Sequence, residues 1–287
     1  RVILVTGATG RQGGAVVSAL KGKFTVLGVT RSPESDKARG LGVQLVEGDL
    51  DNVPALFDAA AAVTAEPIWG VFSVQVSLGK GVTVEREIRQ GKALVDESVR
   101  RGVRMFVYAS VNRGPTSWGV PTPIAHFGTK NEVEQHLRDA TAGMGWAIVR
   151  PVAFMDNLAP GFATRVFLSA LKQTLGDKSL QWVATRDIGT VVSKIFAAPE
   201  NFNHKAISLA GDELNVDGIC ASIKHVTGQD IAPAWWGFGA ALMFVPEVGR
   251  MVRWFADEGY AADVNECREL HPEMMDFKAW LRKDSLW

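Results

Sequence analysis

Three observations predict the fold class of this chain. Short apolar and β-branched runs alternate with helical stretches of about 10–15 residues, a glycine triplet stands between the first run and the first helix, and the pattern changes after Pro151. Together they predict an α/β fold: a doubly wound parallel sheet followed by a smaller, mostly helical C-terminal lobe. Residues 2–6 form the first run, and residues 13–20 continue as a helix with Val16, Val17 and Leu20 on one face. Residues 24–30 and 43–47 are the second and third strands; Gly48, Asp49 and Leu50 follow, then a helical stretch through Leu56 to residue 62. The fourth and fifth strands are expected at 71–76 and 105–110, with a charge-rich helix at 85–101 between them. A helix at 129–140 precedes a sixth strand at 147–150. Right-handed crossovers fold such βαβ units into a Rossmann-type sheet.

The length of 287 residues suits two lobes at about 150 residues per domain. Residues 1–150 make the sheet domain, and a later segment near 185–205 is expected to return to it. Residues 151–287 are expected to form mainly the second lobe, with helices at 162–171, 187–196 and 216–227 and strands at 180–184 and 206–209. Its tail is rich in aromatics: Trp235, Trp236, Phe238, Phe244, Trp254, Phe255, Phe277 and Trp280.

Composition excludes several classes of function. Lys plus Arg and Asp plus Glu are both 31, so the chain has no net charge to draw it to nucleic acid or anionic lipid. No apolar run approaches the roughly 18 residues of a membrane span. Cys220 and Cys267 are too few for a disulfide framework and lack zinc-ligand spacing, which fits a reducing compartment. The histidines His136, His204, His225 and His271 have no carboxylate or cysteine at ligand spacing, so no metal is expected. The chain opens on a strand with no signal-peptide pattern, which predicts a cytoplasmic protein; the absence of an initiator Met predicts residues upstream. Neither a Gly-x-Ser-x-Gly elbow nor a Walker loop is present.

The most informative motif is Gly7-Ala8-Thr9-Gly10-Arg11-Gln12-Gly13-Gly14, placed directly after a strand and before a helix. Dinucleotide chemistry needs glycine here because Gly7 allows the tight turn, Gly10 admits a pyrophosphate close to the backbone, and Gly13 lets helix and strand pack. The helix start then offers free N–H groups to the anion. Gly7, Thr9, Gly10, Arg11, Gln12 and Gly13 are therefore candidate cofactor residues. At the end of the second strand an acid would bind ribose hydroxyls, whereas an arginine can pair with a 2′-phosphate. That position carries Arg31, and Glu34 and Asp36 lie beyond Pro33, so the cofactor expected is NADP(H). Asp49 and Leu50 follow the third strand, where side chains meet the adenine edge. Asp49 reads equally well as a solvated turn residue. Ser73, after the fourth strand, is a candidate for the pyrophosphate or ribose.

The glycine loop, Thr30-Arg31 and Gly48-Asp49-Leu50 resemble the NmrA-like proteins, an atypical branch of the short-chain dehydrogenase/reductase superfamily. The resemblance continues through His126-Phe127-x-x-Lys130-x-x-Val133-Glu134, Arg150-Pro151-x-x-Phe154-x-x-Asn157-Leu158 and Met251-x-x-Trp254-Phe255-x-x-Glu258-Gly259-Tyr260 to Trp280-Leu281. It implies an NADP-binding Rossmann domain with a small substrate lobe. The superfamily's chemistry rests on Tyr-x-x-x-Lys, in which the tyrosine donates a proton and the lysine lowers its pKa and holds the nicotinamide ribose. This chain keeps Lys130, but four residues before it stands His126, and its only tyrosines are Tyr108 and Tyr260. His126 reads either as a replacement proton donor, since imidazoles titrate near working pH, or as a residue at the helix start or pocket wall. Ser110 stands where the superfamily places a substrate-orienting serine, and reads equally as a hydroxyl serving loop backbone. Pro151, Phe154 and Asn157 follow the sixth strand, where the resemblance brings the chain past the nicotinamide.

The expectation that follows is an NADP(H)-dependent oxidoreductase acting on a small aromatic or polycyclic molecule by enone, quinone or imine reduction, in a role such as secondary-metabolite tailoring. Nine tryptophans favour flat ligands through stacking, and Trp235, Trp236 and Phe238 read as an aromatic flap or as lobe core. Two alternatives stand beside it: a redox-neutral enzyme, for example a cyclase, using bound NADP as pocket wall, and a non-catalytic NADP(H) sensor acting on a protein partner.

Overall fold

The structure, a computed structural model, describes residues 1–77, 79, 81–115, 122–140 and 143–287. The described chain forms two compact units. The first comprises Arg1–Val111, His126–Arg150 and Ile188–Ile207, and the second Asn112–Ala125, Pro151–Asp187 and Ser208–Trp287.

Strand β1 (Val2–Val5) leads through the glycine loop into α1 (Arg11–Leu20), then β2 (Thr25–Thr30), the short α2 (Asp36–Arg39) and β3 (Gln44–Glu47). Helix α3 (Val53–Val63) returns the chain to β4 (Ile68–Ser73), α4 (Val84–Arg100) to β5 (Met105–Ala109), and α5 (Ala125–Asp139) to β6 (Gly145–Pro151). After the two-residue β7 (Ala153–Phe154) come α6 (Phe162–Leu175), β8 (Leu180–Val183), α7 (Thr185–Ala197), β9 (Lys205–Leu209) and β10 (Asp212–Leu214). The chain ends in helices α8 (Val216–Thr227), α9 (Trp236–Leu242), α10 (Pro246–Asp257), α11 (Val264–Leu270) and α12 (Phe277–Lys283).

The main sheet has the order β3-β2-β1-β4-β5-β6-β9, and the pairings from β3 through β6 are parallel. The strand order reverses between β1 and β4, which opens a crevice at the C-terminal ends of the strands there. Every residue of β1 and β5 is buried, as expected of strands covered on both faces. Alternate residues Val2, Leu4, Leu27, Val29, Val46, Phe106, Tyr108 and Ile148 form one core, closed by Leu56 and Phe57 of α3, Leu94 and Val95 of α4, and Val133 and Leu137 of α5.

The fourth strand lies at 68–73, three residues earlier than its apolar pattern predicts. The Thr6 hydroxyl accepts from the Val74 N–H at 2.8 Å and lies 2.9 Å from the Val74 carbonyl, which detaches the chain from the ladder after Ser73. The fifth helix starts at Ala125 rather than 129, because Gly128 is accommodated within it. In the second unit β10-β8-β7 form a small sheet, β8 pairing antiparallel to β10 and parallel to β7. Around it α6 packs on α9 and α10, and α8 on α12. Among the described residues no helix is long and apolar enough to cross a membrane.

Candidate active site

The glycine loop is built as its chemistry requires. Gly7 has φ +58°, in the left-handed region, and its carbonyl accepts from the Gly10 N–H at 2.8 Å. A Cβ on Gly13 would stand 2.1 Å from that carbonyl oxygen, so only glycine lets α1 approach the turn. Helix α1 starts with no side-chain cap and no acid in its first turn, so its first N–H groups and the positive end of its dipole are available to an anion. Next to them the Gln12 Nε2 is a buried donor with no partner among the described residues.

Thr6, Gly7, Thr9 and Gly10 form one wall of a cleft of about 610 Å³ within the first unit. The end of β2 supplies Arg31, Ser32, Ser35 and Lys37, so two cations and two hydroxyls line this part of the cleft. The Ser35 hydroxyl caps α2, accepting from the Ala38 N–H, and Glu34 is engaged by Arg39, so that acid faces a neighbouring cation. Gly48, Asp49 and Leu50 follow β3 and line the cleft as well. Asp49 turns the chain by accepting from the Asp51 N–H at 3.0 Å. Asp51 in turn gathers Arg86 Nη2 at 2.7 Å, Arg89 at 3.0 Å and Gln90 at 2.9 Å. The Arg86 hydrogen bond, with those of Gln90 and Arg89, holds the Asp51 carboxyl well below the usual range. This network ties α4 to the turn after β3 and so fixes Arg86, Glu87 and Gln90, which close the cleft with Val74, Val76, Gly79 and Val82.

Lys130 stands on α5 with its ammonium 2.8 Å from Glu87 Oε1, and both side chains are nearly sealed from solvent. The Ser77 hydroxyl donates to the same Glu87 oxygen at 2.8 Å, and the Lys130 ammonium lies 5.7 Å from the centre of the Tyr108 ring. His126, one helical turn before Lys130, is half-buried with its ring edge-on to Phe127, and its carbonyl accepts from the Thr129 hydroxyl. Ser110 donates to Glu134, whose carboxylate also receives Arg150 Nε at 3.0 Å. Ser73 is buried at the end of β4 and accepts from Gln75 Nε2 at 2.9 Å.

Of the residues singled out in the sequence, Gly7, Thr9, Gly10, Arg31, Asp49 and Leu50 line the cleft. Gly13 supports the loop beneath it. Arg11 and Gln12 open α1, while Ser73 ends β4, Ser110 follows β5, and His126 and Lys130 lie on α5, none of these four lining the cleft. Pro151, Phe154 and Asn157 belong to the second unit. There Pro151 ends β6 and accepts from the Asn112 N–H, Phe154 pairs with Val183, and Asn157 ends a short 3₁₀ turn. The tail aromatics divide. Trp254, Phe255, Phe277 and Trp280 are core, whereas Trp235, Trp236 and Phe238 are exposed, Trp235 lying tilted against Trp236 and edge-on to Phe238. Among the described residues no group of His, Cys, Asp and Glu is placed to hold a metal.

Sequence reading passed over Ser35, Lys37, Glu87 and Gln90. Lys37 follows a proline-containing loop with no periodic signal. Glu87 does carry one: Glu87, Gln90, Gly91, Leu94 and Ser98 share the buried face of α4, and a carboxylate on an otherwise core-facing stripe marks a paired or functional group.

A glycine-loop cleft at the switch point of a parallel sheet is the arrangement of a Rossmann fold. The model of the NmrA-like family matches residues 1–281, and the chain belongs to that family. It is 26% identical to the NmrA-like family domain-containing oxidoreductase FrzB of Cladobotryum sp, over 91% of this chain and 88% of that protein. It is 33% identical to the (4-alkanoyl-5-oxo-2,5-dihydrofuran-3-yl)methyl phosphate reductase of Streptomyces griseus, over 84% of this chain and 79% of the relative. The structure of Citrobacter sp. triphenylmethane reductase complexed with NADP(H) shares the fold with a TM-score of 0.74 at 16% identity, covering 99% of each chain.

Proposed function

We propose that this protein is an NADPH-dependent reductase of small aromatic or polycyclic molecules bearing an enone, quinone or imine. The observation that carries the cofactor assignment is the composition of one cleft: a glycine loop leading into an uncapped helix at one wall, and Arg31 and Lys37 with no carboxylate lining the cleft at the end of β2. These residues fit a nicotinamide dinucleotide bearing a 2′-phosphate. The loop would hold the pyrophosphate, Arg31, Ser35 and Lys37 the 2′-phosphate, and Asp49 and Leu50 the adenine side. The relatives named as reductases and oxidoreductases support reduction as the chemistry.

Bound in this cleft, the cofactor supplies a hydride. The chain's part is to orient and to manage the proton. Lys130 is the candidate for holding the nicotinamide ribose, the role the family resemblance implies for it, and its ammonium stands beside Glu87, which lines the cleft. His126, one turn away on the same helix, is the candidate proton donor in place of tyrosine. Reduction of a conjugated acceptor suits this arrangement, since hydride adds at carbon and the proton is required only on the enolate, phenolate or amide anion that results.

Calorimetry with NADPH and NADH on wild type and Arg31→Ala tests the cofactor. NADPH affinity is expected to fall about 10–100-fold in the variant while NADH affinity changes little. Equal losses for both nucleotides would remove Arg31 from the 2′-phosphate. Incubation with NADPH and a panel of quinones, enones and imines tests the reaction, which should yield products heavier by two hydrogens as NADPH is consumed. A changed product without NADPH consumption would instead identify redox-neutral chemistry. Tight NADPH binding with no acceptor reduced would support the sensor reading.

A further inference from the structure

We propose that Glu87 is the positioning residue of Lys130 and the group that sets the charge at its end of the cleft; the inference rests on the cleft being an NADP(H) site. Glu87 lines the cleft and Lys130 does not, although the two charges are only 2.8 Å apart. The carboxylate therefore faces the space a ligand would occupy, with the ammonium directly beside it.

A lysine stem is long and flexible, so the place of its ammonium is decided by what it pairs with. Here the pairing is tightly defined. The Ser77 hydroxyl donates to Glu87 Oε1 and limits the carboxylate's rotation, while the Tyr108 ring lies on another side of the ammonium. Glu87 is itself placed by its helix, which Asp51 holds through Arg86 on one side of it and Gln90 one turn on. An ammonium carries three N–H donors and Glu87 Oε1 can accept one of them, so Glu87 holds Lys130 beside the cleft without using all its donors.

The charge balance carries the second half of the proposal. An NADP(H) molecule brings a pyrophosphate and a 2′-phosphate, all anionic, into a cleft whose wall contains the Glu87 carboxylate. The ammonium cancels that charge. Removing Lys130 should therefore weaken NADPH twice, by losing its donors and by uncovering Glu87. Removing both charges should give back the second part. Glu87→Gln alone keeps the cleft open to the anion but releases the ammonium from its holder.

The test is NADPH affinity by calorimetry, together with the fluorescence of bound NADPH, which reports the surroundings of the nicotinamide. The proteins are wild type, Glu87→Gln, Glu87→Asp, Lys130→Met and the double variants of Lys130→Met with Glu87→Gln or Glu87→Asp. Each is first checked by thermal unfolding, and only folded protein is scored. Lys130→Met is expected to weaken NADPH about 30-fold or more, and adding Glu87→Gln to recover about tenfold of that loss. Adding Glu87→Asp, which keeps the charge, should recover none. Glu87→Gln alone should alter the emission of the bound nucleotide, and more than Glu87→Asp does, since aspartate keeps a carboxylate for the ammonium. A Lys130→Met/Glu87→Gln protein no tighter than Lys130→Met, or unchanged emission in Glu87→Gln, overturns the proposal and leaves the cofactor reading intact. Failure of wild type to bind NADPH overturns the cofactor reading itself, and this inference with it.

Discussion

Helix α5 carries two buried charges four residues apart, Lys130 and Glu134, and they are used in opposite ways. Glu134 is fully buried, with Arg150 on its carboxylate through Nε and Nη2 and Ser110 donating to one of the same oxygens. A guanidinium fork engages both carboxylate oxygens in a fixed geometry, so this cluster is a clamp between the ends of β5 and β6 and the helix. Lys130 meets Glu87 as a point charge at one oxygen, beside the cleft, so that one acceptor faces three N–H donors. Burial alone does not distinguish a structural charge from a functional one; how completely the partner satisfies it does.

The sharpest way to break that comparison is Arg150→Met. It leaves Glu134 buried without its cation, and a loss of about 3–5 kcal/mol in denaturant unfolding is expected, with NADPH affinity of the remaining folded protein unchanged. A weakened NADPH affinity with normal stability would make the clamp part of the site. Ser110→Ala sharpens it next. Removing one hydrogen bond to a charged group should cost about 1.5–3 kcal/mol of stability, with turnover of any acceptor found falling less than threefold. Intact stability with lost turnover would return Ser110 to the substrate-orienting role that the family resemblance implies.

Asp51→Asn should have the smallest effect, because its carboxylate is well exposed and exposed pairs are worth about 0–1 kcal/mol. Its sign with pH is definite. Arg86 lowers the folded-state pKa of Asp51, so the stabilisation is present above the unfolded value of about 3.9 and is lost as pH falls through the folded one. Wild type and Asp51→Asn should therefore differ in melting temperature at neutral pH and converge as the pH is lowered below about 4. A gap that widens in acid would show that Asp51 does not stabilise through these ion pairs.

Much of this was legible in the chain. The strands of the main sheet are short and apolar because both faces are covered, and the glycine spacing marks a turn that only glycine can make, as the 2.1 Å approach at Gly13 shows. Arg31 was legible because the end of β2 has a fixed meaning in this fold. The short tail helices α9, α11 and α12, with seven residues each, were not, because two turns leave too little periodicity to read. The aromatic tail misleads for a related reason: composition cannot say that Trp254 is core while Trp235 and Trp236 are about two-thirds exposed.

The sequence by itself determined the order of elements, the turn at Gly7 and Gly13, and the absence of an acid at the end of β2, since each rests on local spacing and backbone sterics. Tertiary structure alone decided which charges meet. Glu87 and Lys130 are separated by strand β5 and lie on different helices, and Asp51, in the turn after β3, is separated from its partners on α4 by α3 and β4. Pairing at 2.8 Å depends on where two helices come to rest on the sheet, a packing outcome that no local pattern encodes.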